Sequence, residues 1–230
     1  MACVPPKSAQ ADFGSRHSAP RRLAPPLRDA AARAKGGTMT DLIQRWLKFK
    51  AQALLLFGRR DAALEVFAAM LARDPGDAYA LASRAHTLAA LGQRAAAIDT
   101  YRVVVEGHPK RASAWFNLGF LLEQEGRLDE ALAAFERATA LDAKLDRAWY
   151  GLGLVLIRLR RLDEAVAALK RNTELQPMSP YGWYQLARVQ IDRQQPEEAV
   201  KIIRHLHSFE PKVAAQLERE TGLLAGPAPR

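Results

Sequence analysis

A 34-residue period dominates this chain. Prolines stand at 75, 109, 177 and 211, at spacings of 34, 68 and 34, with Ala143 at the skipped place. The same interval carries Trp115, Trp149 and Trp183, and Leu118, Leu152 and Leu186. It also carries the small residues Ala85, Gly119, Gly153 and Ala187, and the alanines Ala63, Ala97, Ala131, Ala165 and Ala199. Several residue classes held in phase over five periods mean repeated copies of one supersecondary unit. Each copy leaves an apolar face uncovered, so the copies must stack into a quasi-one-dimensional array.

The physics of one unit can be read from residues 112–145. Trp115, Leu118, Gly119 and Leu122 fall at i, i+3, i+4 and i+7, one stripe of a first helix. Gly126 punctuates the chain. Asp129 and Glu130 then favour a helix start through capping and the helix dipole. Ala131, Phe135 and Ala138 form the apolar stripe of a second helix. Gly119 and Ala131 are small where two helix backbones approach. A proline after the second helix stops it and presets the turn into the next unit.

A period of 34 with this alphabet resembles the tetratricopeptide repeat (TPR) family, the clearest copy being AWFNLGFLLEQEGRLDEALAAFERATALDA from Ala114 to Ala143. The resemblance implies an all-α, right-handed solenoid of helical hairpins. It covers five units at 44–77, 78–111, 112–145, 146–179 and 180–213. A capping helix follows, with Val213 and Leu217 on its buried side and an end near Gly222. Departures mark the ends. The first unit has Leu47 in place of the large aromatic and Lys50 in place of leucine. The second has Leu81 and Arg84 there, and the fifth has Gln190 and Gln194. The fourth has Arg160 where the inter-helix glycine sits, and Asn172 in its second helix. Units three and four therefore read as the well-packed centre.

The flanks differ in composition. Residues 1–38 hold seven Lys and Arg against Asp12 and Asp29, a net of +5 out of the chain's +9. They include five prolines and almost no aliphatic period. This segment is expected to be disordered. Three origins fit it: an over-extended reading frame with the start at Met39, a native basic tail touching an acidic partner or nucleic acid, and an organelle transit peptide. Residues 224–230 are expected to be a frayed tail. No uninterrupted apolar run of 18 residues exists, so no membrane-spanning helix is expected. The expected location is cytoplasmic.

Catalytic chemistry is not expected. Cys3 is the single cysteine, and no Cys/His cluster suits a structural zinc. His205 and His207, at i and i+2 on a helix, face different sides, which argues against a shared metal. No metalloprotease, phosphate-loop or serine-hydrolase motif is present, and no cofactor is expected.

The informative surface is the non-core stripe of each first helix, which the TPR resemblance implies lines a concave peptide-binding groove. On a wheel of about 100° per residue it holds Ser113, Phe116, Phe120 and Glu123 in unit three. Unit four gives Arg147, Tyr150, Leu154 and Ile157; unit five gives Tyr181, Tyr184, Arg188 and Ile191. Unit two contributes Tyr79 and His86, and unit one Arg45 and Lys48. Asn117, beside Phe116, joins the set. Leu154, Ile157 and Ile191 could equally pack between units. The set Lys48, Gln52, Ser83, Ser113 and Asn117 does not match the carboxylate clamp by which some TPR modules hold chaperone tails. Cations outnumber acids on this stripe, with Arg45, Lys48, Arg147 and Arg188 against Glu123. The expected function is therefore non-catalytic binding of a protein or peptide segment with apolar anchors and acidic character. A nucleic-acid partner is disfavoured. Two alternatives stand beside it: an assembly subunit that self-associates through its ends or groove, and an accessory subunit of an enzyme complex.

Overall fold

The computed structural model describes residues 39–224, and the flanks at 1–38 and 225–230, with the expectations attached to them, lie outside the described residues. Every described element is a helix: α1 (Met39–Leu56), α2 (Arg60–Arg73), α3 (Ala78–Ala90), α4 (Arg94–Gly107), α5 (Ala112–Gln124), α6 (Leu128–Leu141), α7 (Asp146–Arg158), α8 (Leu162–Leu175), α9 (Pro180–Asp192), α10 (Pro196–His207) and α11 (Pro211–Thr221). No helix among the described residues is long and apolar enough to cross a membrane. Close packing of a single unit begins at Ile43.

Two residue columns of the second helices form its spine. Ala63, Ala97, Ala131, Ala165 and Ala199 are all fully buried. Four residues further on, Phe67, Tyr101, Phe135, Leu169 and Ile203 are also buried. Fully burying one such side chain contributes about 1.5–3 kcal/mol. Phe135 shows how closely the columns fit. A Cβ on Gly119 of α5 would stand 3.1 Å from its ring, and one on Gly151 of α7 only 2.6 Å. The small residues make room for the ring to wedge between two successive first helices.

The tryptophans pack against the edge of the core and do more besides. Trp115, Trp149 and Trp183 are only half-buried, while their predecessors Ala114, Ala148 and Gly182 are buried. Each indole Nε1 donates to the carbonyl six residues earlier: Pro109 at 2.9 Å, Ala143 at 3.1 Å and Pro177 at 2.8 Å. The aromatic therefore clasps the turn into its own unit, and it does so whether or not that turn contains proline. The Ala143 turn is closed further by Asp142, whose carboxylate accepts from Lys144 N at 3.0 Å.

Capping also departs from the sequence reading. Asp129 and Glu130 lie in the first turn of α6 and complement its dipole, but no side chain caps that helix. Glu130 instead bonds Arg127 at 2.7 Å and Arg102 of the preceding unit at 2.9 Å. Asp77 does cap α3, accepting from Tyr79 N and Ala80 N at 2.9 and 3.0 Å.

The turn between the two helices of a unit needs a left-handed residue. Gly58, Gly92 and Gly126 take it with φ of 71°, 74° and 74°. Arg160 and Gln194 occupy the same place at φ 60°, a conformation that costs a residue bearing Cβ. After the last unit, α11 buries Ala214 and Leu217 and stops at Gly222, again left-handed.

Candidate functional site

Five of the residues read as groove-lining come together. His86, Phe116, Asn117, Phe120 and Arg147 line one concavity of about 510 Å³, with Ala89, Ala90, Tyr101, Leu121 and Gln124 completing the wall. The walls derive from α3 and α4 of one unit and α5 of the next, with Arg147 reaching in from α7. Phe116 and Phe120, one helical turn apart, stack with centroids 6.4 Å apart. Phe116 also leans on the core ring of Phe135 at 6.0 Å. It is half-buried, whereas Phe120 is 48 % exposed. The first ring is thus held by packing, and the second offers its surface to solvent. The Arg147 guanidinium lies 5.1 Å from the Phe116 centroid.

Tyr101 on α4 belongs to this site although the sequence reading, confined to first helices, passed over it. Its column otherwise holds Phe67, Phe135, Leu169 and Ile203, so its hydroxyl is the one polar atom in a buried file. That hydroxyl needs a partner, and Asn117 Nδ2 donates to it at 3.0 Å. Burial pushes the Tyr101 phenol up, only partly offset by that bond. The phenol is neutral at physiological pH, and Asn117 is fixed at the concavity floor.

The other groove residues form separate clusters. At the N-terminal end, the Lys48 ammonium sits 4.2 Å from the Tyr79 centroid. Burial likewise raises the Tyr150 phenol, against a hydrogen bond with Gln185. Leu154 and Ile157 are half-buried, and Ile157 packs on the main core. Tyr181 is 71 % exposed.

Charge is distributed differently from the count made on first helices alone. Glu123 accepts from Arg158 of the following unit at 2.5 Å. At the distal end, the Tyr184 hydroxyl donates to Glu220 of α11 at 2.6 Å. Arg188 donates to Tyr184 at 3.3 Å and stands 3.9 Å from the same carboxylate. Tyr184, then Gln216 and Arg188, hold the Glu220 carboxyl below the usual carboxylate range. Arg188 is therefore engaged within the chain. Arg147, Lys48 and Arg45 have no ion pair among the described residues, so positive charge is available at the concavity and again toward the N-terminal end.

His205 meets Trp183 edge-on with centroids 4.5 Å apart, and His207 pairs with Glu218 at 3.1 Å, so the two imidazoles point apart. Among the described residues no group of His, Cys, Asp and Glu could hold a metal ion.

Two family models, both described as tetratricopeptide repeat, match residues 83–146 and 122–184. No curated protein matches the chain. Among solved structures, a MamA protein aligns at TM-score 0.69 with 21% identity, over 80% of this chain and 98% of its own. MamA residues 41 to the end, from Desulfovibrio magneticus RS-1, aligns at 0.66 with 21% identity, over 78% and 97%. YrrB, described as "a TPR protein with an unusual peptide-binding site", aligns at 0.68 with 18% identity, over 84% and 97%. At such identities these likenesses speak for the fold. With the 34-residue period, the matched family models and the paired helices all in agreement, the chain carries tetratricopeptide repeats, matched over residues 83–184, in an all-α fold.

Proposed function

We propose that this chain is a non-catalytic interaction module that binds a peptide segment in the concavity between its second and third units. One observation carries this reading. Phe120 is held half-exposed beside Phe116, over a polar floor of Asn117 and Tyr101, with Arg147 and His86 at the rim. An apolar side chain of the ligand would cover the exposed ring. Ligand carbonyls or amides would meet Asn117 and Gln124, and a carboxylate would meet Arg147. The aromatic contact would supply most of the affinity and the cation mainly encounter and specificity. The favoured ligand therefore has an apolar anchor with an acidic residue nearby. The Lys48–Tyr79 pair supplies a second cationic place toward the N-terminal end.

Selection from a displayed random-peptide library against the full chain tests this. Enriched peptides should share one large apolar residue flanked by Asp or Glu. Phe120→Ala should weaken their binding by tenfold or more at unchanged helicity. Arg147→Ala should weaken it less and flatten its salt dependence. Retained affinity in Phe120→Ala would place the ligand elsewhere and refute the reading.

A further inference from the structure

The outer face of α1 is apolar and, among the described residues, exposed. Trp46 is 57 % exposed, Phe49 70 % and Leu56 83 %, and Phe57 just beyond the helix is 78 % exposed. At about 100° per residue, Trp46, Phe49, Ala53 and Leu56 fall within about 80° of arc, roughly opposite the buried Leu47 and Ala51. A helix apolar on two faces is expected to be covered on both.

A further repeat does not fit there. In later units the place of Trp46 is taken by Ala80, Ala114, Ala148 and Gly182, all buried against the preceding unit. At Gly182 even a Cβ would collide with Asn172 and stand 3.1 Å from the Thr173 methyl, both on α8. An indole at that place keeps any second helix from approaching at the array's spacing. A second copy stacking its C-terminal end onto α1 is excluded by the same argument.

Charge and shape point to the occupant. Lys50 lies about 40° beyond Trp46 on the wheel, and Arg45 about 20° before Leu56, so cations border the stripe on both sides. The Lys50 ammonium sits 5.2 Å from the Trp46 centroid. Arg59 and Arg60 follow Phe57 after a single glycine, Gly58, while Asp41 and Asp61 are the nearest acids in sequence. The 38 residues before α1 add a net of +5. Two copies meeting through this face would bring like charges together. Large aromatic side chains exposed along one stripe suit a deformable surface. Exposed Trp and Phe bordered by Lys and Arg is the pattern of a helix lying in a lipid interface, and apolar insertion with a basic segment supplies the two signals that stable peripheral attachment needs.

We propose that the outer face of α1 is a peripheral docking surface for an anionic lipid bilayer, with Trp46, Phe49, Leu56 and Phe57 inserting and Arg45, Lys50, Arg59 and Arg60 meeting the headgroups.

Co-sedimentation of the full chain with vesicles tests this, comparing phosphatidylcholine alone with phosphatidylcholine containing about a third phosphatidylglycerol. The chain should bind the anionic vesicles preferentially. Trp46→Ser with Phe49→Ser should reduce partitioning by about tenfold at an unchanged melting temperature, since both side chains are exposed. Should that pair disturb folding, Phe57→Ser, outside the helix, should give a smaller loss in the same direction. Lys50→Glu with Arg59→Glu should weaken binding and flatten its salt dependence. Phe120→Ala should leave vesicle binding intact, which separates this surface from the peptide site. Absence of preference for anionic vesicles would overturn the proposal. So would undiminished binding in the correctly folded Trp46/Phe49 variant, because the basic N-terminal segment alone would then hold the lipid. Light scattering that finds a dimer lost in the same variant, with no vesicle binding, would assign the face to a second copy.

Discussion

Arg160→Gly should stabilise this protein, although it removes a long side chain and adds no contact. Arg160 takes the left-handed turn between α7 and α8 at φ 60°, where the corresponding residues of the first three units are glycines. Holding a residue with Cβ there costs roughly 1–2 kcal/mol. Glycine returns part of that gain by adding freedom to the unfolded chain, about 0.4–1 kcal/mol. The side chain's own contribution is small, since it is 73 % exposed and its nitrogen lies 4.0 Å from Asp192. The net expectation is a gain of about 0.5–1 kcal/mol, or roughly 1–4 °C in melting temperature for an array of this length. Gln194→Gly should gain a similar amount for the same reason, and the double variant should approach the sum. The converse, Gly126→Ala, should lose about 1 kcal/mol. No atom lies within 4 Å of where that Cβ would stand, so the loss would come from the backbone alone. Urea denaturation followed by circular dichroism reads all four. A loss of stability in both glycine variants would refute the reasoning and mean that the Arg160 and Gln194 side chains stabilise their turns.

Gly182→Ala should destabilise by about 1–3 kcal/mol in the same assay, because its methyl would displace Asn172, which donates to the Asp146 carbonyl at 3.0 Å. Trp149→Phe should cost about 1 kcal/mol, the net worth of the lost indole bond to Ala143, and less than a core truncation such as Phe135→Ala at about 3–5 kcal/mol. The Glu220 carboxyl is held below its ordinary range by Tyr184, Gln216 and Arg188. Its contribution is therefore full above the unfolded value and lost as pH falls through the folded one. Glu220→Gln should make acid unfolding of α11, followed by hydrogen exchange at Leu217, less dependent on pH. An unaltered pH profile would mean that this carboxylate does not tie α11 down.

The repeat made much of the fold legible. A period shared by Ala63 through Ala199 places one buried column without any three-dimensional information. What it could not give was which of two adjacent residues is buried. Ala114 and Trp115 lie about 100° apart on a helix, and the apolar bulk of tryptophan draws a pattern-based reading toward itself. The structure buries the alanine, because two helices approach closely only over a small side chain, and turns the indole toward the connecting turn. Phe116, Phe120, Arg147 and His86 were legible as one surface because they share a stripe from unit to unit, and Asn117 only as the neighbour of Phe116. Tyr101 was not, since it reaches the concavity from a second helix. Its phenol in a file of Phe, Leu and Ile was the available signal. The acid that meets Arg188 was equally hidden, because Glu220 belongs to α11, which stands outside the period. His205 and His207 were separable from sequence because two residues along a helix is over half a turn.

The three indole clasps make the joints of this array unequal. The turns before α5, α7 and α9 are each bridged to the following helix by a tryptophan. The turn before α3 is not, since Leu81 stands where the indole would be. Its Asp77 cap holds the helix end locally, reinforced by Gln44 at 2.8 Å, and the first unit keeps an apolar cluster of its own. Under tension applied to the two chain ends, the one joint between the five units that lacks an indole should yield before the other three, so that α1 and α2 peel away as a pair while the clasped units hold. Optical-tweezers traces should then contain an early low-force step of one repeat's length, and Leu81→Trp should move that step to higher force.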